Sequence, residues 1–184
     1  MHPRPTRAEL EAAAGKSVPD VIAPNLKVLF CGINPGLYTA AIGHHFGRPG
    51  NRFWPVIHQS GFTPRLYSPY EDNDLLELGY GVVNVVNKAT ATADQLTREE
   101  LLAGGASLRK KVLKYKPQIL AVLGMGAYRT AFQQPQAAIG EQTERIGPTR
   151  VWVLPNTSGL NANFQMPALV KLFGKLKAAA DMRS

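Results

Sequence analysis

One cysteine, Cys31, is all that the 184 residues contain. That excludes an internal disulfide framework and any zinc or iron–sulfur centre built on four thiolates, and it fits a reducing, cytoplasmic setting. No apolar run is long enough to span a bilayer, and the opening MHPRPTRAEL lacks the apolar centre of a secretion signal. Carboxylates are scarce in a patterned way. Between Asp20 and Glu71 stand four cations, Lys27, Arg48, Arg52 and Arg65, and no acid; from Arg145 to Lys177 there is again none. Of the four histidines only His44 and His45 are adjacent, and neighbouring residues without carboxylates nearby make a poor metal site. No metal and no cofactor is expected. The net charge of +8, concentrated in acid-free segments, favours a polyanion through phosphate neutralisation and counterion release.

What the chain does have is concentrated between Lys27 and Trp54. Val28-Leu29-Phe30-Cys31 has the short, β-prone character of a buried strand, and Gly32-Ile33-Asn34-Pro35-Gly36 stops it in a tight loop. Loops at the carboxyl ends of strands are where open α/β sheets bind ligands. Asn34 therefore belongs at the base of a pocket, with an amide that donates and accepts. Phe46, Arg48, Asn51, Arg52, Phe53 and Trp54 follow, aromatics and cations interleaved. The mixture suits a flat, hydrogen-bonding ligand attached to phosphate.

The remaining pattern predicts a single domain over 25–184 behind an N-terminal arm, 1–24, in which Arg7–Ala14 is compatible with a short helix or with disorder. Strands are expected at Leu26–Ile33, Gly81–Val86, Ile119–Leu123 and Val151–Leu154. Helices are expected at Asn51–Gln59, from Arg98 to about Tyr115 behind the capping box Thr97-Arg98-Glu99-Glu100, from Gly124-Met125-Gly126 through Phe132, and at about Pro167–Ala180. Alternating strands and helices give an α/β fold, a mostly parallel sheet covered on both faces. Glu71, Asp72, Asp74 and Glu77 read as a solvated helix face. Gly124-Met125-Gly126 lacks the third glycine and acidic partner of a dinucleotide fingerprint, so it reads as close strand–helix packing, with a nucleotide site as the alternative.

GINPGL at Gly32–Leu37, GNRFW at Gly50–Trp54 and LPNTSGL at Leu154–Leu160 together resemble the mismatch-specific uracil/thymine-DNA glycosylase family, from about Val21 to Lys177. The resemblance implies a single three-layer α/β/α domain that extrudes a base from double-stranded DNA containing uracil or a mismatched pyrimidine, and hydrolyses its N-glycosidic bond. It implies a monomer with no membrane association. By the same resemblance Asn34 holds the attacking water, backbone N–H groups near Ile33 stabilise the departing base, Phe46 stacks on it, and Thr39 lies near its C5. Asn156, Ser158, Gly159, Leu160 and Asn161 belong to the loop that enters the emptied stack. Ala162 stands where an arginine is expected, which argues for relaxed dependence on the opposite base. Among the loops beginning at Asn34, Asn87 and Asn156, Asp94 is the sole carboxylate. It is a second catalytic candidate, able to orient or deprotonate the water if its loop folds over the pocket; a solvated turn residue is the alternative. Lys88 could in principle form a Schiff base, but a monofunctional enzyme is expected. A non-catalytic DNA-binding module on the same scaffold is the alternative function.

Overall fold

Strand β1 (Val28–Gly32) is buried along its whole length, and its side chains divide by period two between two cores. Val28 and Phe30 face one, Leu29 and Cys31 the other. In this computed structural model, which describes residues 1–182, the same division recurs in β3 (Ile119–Leu123) and β5 (Thr149–Leu154). Strands covered on both faces need no polar alternation, which is why they read as unbroken apolar runs. With β2 (Tyr80–Asn84) and β4 (Gly140–Ile146) they form one five-stranded sheet in the order β2-β1-β3-β5-β4, all neighbours parallel except the antiparallel β4–β5 pair.

Helices cover both faces. On one, α3 (Phe53–Gln59) and α6 (Met166–Asp181) bury Phe53, Trp54 and Ile57 with Leu169, Phe173 and Leu176 against Phe30 and Leu154. On the other, α4 (Arg98–Tyr115) and α5 (Met125–Ala131) bury Leu108, Val112 and Tyr128 against Leu29, Leu120 and Val151. The three-layer α/β/α architecture is the one expected. α4 begins where its capping box places it, with Thr97 Oγ1 accepting from the Glu100 N–H and Glu100 accepting from the Thr97 N–H. Burial pushes the Cys31 thiol up, so the single cysteine is a packed apolar residue.

Of the two readings of the arm, helix or disorder, the structure has the helix, and two further elements lie outside the sequence expectation. Residues 1–24 carry a short helix, α1 (Arg7–Ala12), closed by its own Thr6–Glu9 capping box, and Val21 exchanges both backbone bonds with Val82 at the β2 edge. A second short helix, α2 (Leu37–Ile42), follows the Gly32–Gly36 loop. The β4 strand is an edge strand whose exposed face carries Glu141, Thr143 and Arg145, so no apolar run announces it. Among the described residues no helix is long and apolar enough to cross a membrane.

The chain leaves β1 for β2 on one side and then crosses to β3 on the other. A ligand crevice is expected outside the carboxyl ends of such strands. The loops there are stitched together: Val85 N–H donates to Gly32 O, Val86 N–H to Ile33 O, and Thr90 N–H to Pro35 O.

Candidate active site

That crevice is a cavity of about 320 Å³, at the small end of the range for small-molecule sites. Ile33, Asn34, Thr39 and Phe46 line it from the β1 side, and Asn156, Ser158, Leu160 and Asn161 from the β5 side. Three residues on which the sequence argument depends, Asn34, Phe46 and Leu160, thus share one wall system. Asp94 and Gly159 do not line it. Gly159 lies instead in a neighbouring groove with Arg48 and Gly50.

Asn34 is held by its nitrogen. Nδ2 donates to Lys88 O at 2.8 Å and to Thr90 Oγ1 at 2.7 Å, while Thr90 Oγ1 passes its own proton to Thr92 O at 2.7 Å. A carbonyl can only accept, and the threonine proton is already placed, so the group facing them must be the NH2. Both amide protons are used, and Oδ1 is the end left for a ligand. The Asn34 end of the pocket therefore offers a fixed acceptor of low basicity, suited to orienting a water.

Phe46 adopts a left-handed backbone, φ 52°, uncommon for a residue with a side chain. The preceding residue explains how it is held there. The His45 N–H donates to Asp72 Oδ2 at 3.0 Å, Trp54 Nε1 donates to His45 O at 3.2 Å, and His45 Nε2 lies 2.8 Å from Pro19 O. Burial lowers the His45 pKa despite that backbone contact, so the ring is neutral at pH 7 and donates through Nε2. Asp72, read from the sequence as part of a solvated face, is only 2% exposed; its other oxygen lies 3.0 Å from His44 Nδ1. The acidic run thus contributes one buried anchor beneath the pocket. Phe46 then lies over Phe53 with ring centroids 4.0 Å apart and 21° between planes.

The cavity contains five asparagines, Asn34, Asn51, Asn84, Asn156 and Asn161, and no carboxylate. Asn84, which sequence reasoning placed only within a strand, is 9% exposed, and its amide makes no hydrogen bond among the described residues. Reached from the cavity, the amide keeps a donor and an acceptor free for a ligand. The signal was a polar residue ending the apolar run Gly81-Val82-Val83. Gly32 makes room for it: a Cβ there would lie 2.7 Å from Asn84 Oδ1 and 3.4 Å from Phe46 Cζ. Gly124 packs in the same way, its hypothetical Cβ 2.9 Å from Ile33 Cδ1, so the first glycine of the Gly-x-Gly serves close packing under the pocket, while a Cβ at Gly126 would meet nothing within 4 Å.

The other predicted residues have structural duties. Thr39 is buried and accepts the Gly47 N–H at 3.0 Å. Ile33 takes the Val86 N–H on its carbonyl, and its own N–H donates to no protein group among the described residues. Asn156 Oδ1 accepts the Ser158 N–H, Ser158 Oγ accepts the Leu160 N–H, and Asn161 Nδ2 donates to Asn156 O. These side chains shape the loop that leaves Leu160 69% exposed. The Ala89–Asp94 loop does fold over the cavity, contributing Thr90, Thr92 and Ala93 to its wall. Asp94 itself is exposed, its carboxylate accepting from Thr92 Oγ1. Arg52, one of the cations interleaved with aromatics before Trp54, reaches backbone carbonyls of the Leu160 loop. The Lys88 amine pairs with Glu100 at 2.6 Å, away from Asn34. No group of three His, Cys, Asp or Glu among the described residues could hold a metal.

An amide-lined cavity without a carboxylate, edged by Arg48, floored by stacked aromatics and rimmed by an exposed leucine, fits extraction of a heterocycle from a stack. Comparison agrees with that geometry. The fold is similar to the solution structure of a candidate uracil DNA glycosylase from Methanosarcina acetivorans, with a TM-score of 0.59 at 18% identity over 89% of this chain and 98% of that one. At that identity the likeness concerns the fold. The family model of the uracil DNA glycosylase superfamily matches residues 19–179, nearly the whole chain, and the protein belongs to that superfamily.

Proposed function

We propose that this protein is a monofunctional DNA glycosylase that flips uracil, notably uracil opposite guanine, out of double-stranded DNA and hydrolyses its N-glycosidic bond, leaving an abasic site. The observation that carries the reading is Asn34 Oδ1, a fixed acceptor in the same small cavity as Phe46 and beside an exposed Leu160.

In the reaction, the bond between sugar C1′ and base N1 breaks and its electron pair leaves with the base. Water adds to C1′ and releases one proton, which ends on the base or in solvent. An amide is too weak a base to drive water onto an intact sugar, so departure of the base leads. The pocket favours that order: the free Ile33 N–H and the Asn84 amide can donate to the oxygens on which negative charge collects. Asn84 also offers an acceptor to the imide N–H of uracil. Phe46 supplies the stacking face, backed by Phe53.

Burying the Leu160 side chain in the vacated stack is worth about 1.5–3 kcal/mol. That offsets part of the few kcal/mol that extrusion costs. Thr39, branched and locked by the Gly47 N–H, crowds a substituent at C5, so uracil is preferred over thymine. Ala162, exposed and short, gives the opposite base no long donor, which favours tolerance of adenine there. The Lys88 amine pairs with Glu100 and does not line the cavity, so Lys88 adds no lyase step.

Asp94 accepts from Thr92 Oγ1 at the rim, and asparagine can accept the same proton. Loss of a general base costs roughly 10²–10⁴-fold, whereas Asp94→Asn is expected to change the single-turnover rate less than about threefold. A fall of two orders of magnitude would return Asp94 to the chemistry. The function as a whole is tested by incubating the protein with a G:U duplex and looking for free uracil and an alkali-labile site.

A further inference from the structure

Arg52 caps α3 and immediately precedes Phe53, the ring beneath Phe46. Its half-buried side chain runs into the loop that carries Leu160. Nη2 donates to Ser158 O at 2.6 Å and to Asn161 O at 3.1 Å, Nη1 donates to Phe164 O, and Nε faces Thr157 O at 3.5 Å. The Arg52 backbone N–H adds a bond to Thr157 O at 2.9 Å. No carboxylate pairs with this guanidinium among the described residues.

Four carbonyls drawn from residues 157–164 thus converge on one planar fork. Carbonyl dipoles aimed at a common point repel one another unless a cation stands between them. A guanidinium holds several at fixed angles, which an ammonium, a compact point charge, does not. Four of the five N–H groups of the fork are taken by these carbonyls, which leaves one Nη1 proton. The loop also packs tightly on the segment before α3: a Cβ at Gly159 would lie 2.7 Å from Gly50 O.

The geometry points to Arg52 as the positioning residue of the wedge: its guanidinium holds residues 157–164 in the shape that projects Leu160 before DNA arrives, and it makes no phosphate contact. The inference rests on the glycosylase reading for what the wedge is used for. Its structural half, an ordered loop that depends on the fork, stands independently. A loop ordered in advance spares the complex the entropy of ordering it on contact.

The test compares wild type with Arg52→Lys and Arg52→Gln. Amide hydrogen exchange of residues 156–165 is expected to quicken by about tenfold or more in Arg52→Gln, and by less in Arg52→Lys, with exchange in β1 and β3 unchanged. Excision from a G:U duplex should fall by about tenfold to a hundredfold, while excision of uracil from an open bubble, where no stack has to be parted, falls less than about threefold. The salt dependence of binding to a uracil-free duplex should stay as in wild type. If that slope instead drops by about one and loop exchange is unchanged, Arg52 is a phosphate ligand and the proposal fails. Equal losses on duplex and bubble, or faster exchange throughout the sheet, report a general loss of fold and overturn it too. A protein inactive on both substrates refutes the glycosylase reading and leaves the exchange of the loop to decide the role of Arg52.

Discussion

Asn34→Ala is expected to lower the single-turnover rate of uracil excision from a G:U duplex by about two to three orders of magnitude, the range for losing a positioned proton acceptor or a transition-state hydrogen bond. Affinity for the same duplex should change less than about threefold, because a water-positioning group acts on the bond-breaking step. The geometry makes the prediction specific. Lys88 O and Thr90 Oγ1 consume both amide protons, so the oxygen has one orientation and alanine removes it without a substitute. The substitution also leaves Lys88 O and Thr90 Oγ1 short of a donor. Thr90 lines a water-accessible pocket and Lys88 is exposed, so the cost in stability is about 1 kcal/mol. A variant that excises at the wild-type rate, or that fails to fold, removes Asn34 from the role given to it.

Asn84→Leu is expected to separate activity from stability. Its amide is buried, faces the cavity and is bonded to no protein group among the described residues, so its removal orphans no partner. A leucine of similar size keeps the volume. Thermal stability should change by less than about 1 kcal/mol, because no protein hydrogen bond is lost. For excision the effect is large. The imide edge of uracil loses both of its partners on this wall, and kcat/KM should fall by about two to three orders of magnitude. Gly32→Ala should give the activity defect by another route, since its Cβ would displace Asn84 Oδ1. If Asn84→Leu is destabilised and fully active, the amide serves the fold and the base is read elsewhere.

How far the sequence carried can be judged residue by residue. β1, β3 and α4 were legible because local signals and tertiary demand agreed: apolar runs where both sheet faces are covered, and a capping box where a helix starts. β4 was not, since one face is solvated and its alternation of Glu, Thr and Arg looks like a surface loop. The α2 helix was missed because Gly36 caps it without a side-chain bond. At the site, the motif residues Asn34, Phe46 and Leu160 fell together as expected, while three charges or amides took unexpected duties. Asp72 sits among other acids in the chain, and only the fold shows that it alone turns inward to hold His45. The carbonyls that occupy Arg52 lie more than a hundred residues away in sequence. Asn84 looked like an interruption in a strand because nothing local distinguishes a polar residue facing solvent from one facing a cavity.

The assembly of Asn34, Asn84, Phe46 and Leu160 into one base-extracting pocket is tested most directly by single-turnover excision on a G:U duplex, run beside A:U, G:T and single-stranded uracil. The expected result is release of free uracil and an abasic site from G:U, with A:U within about tenfold and G:T at least about tenfold slower, a gap that one crowded methyl can produce. Tight binding to the G:U duplex with no base released would contradict the account, leaving a surface that grips DNA and a cavity that does no chemistry.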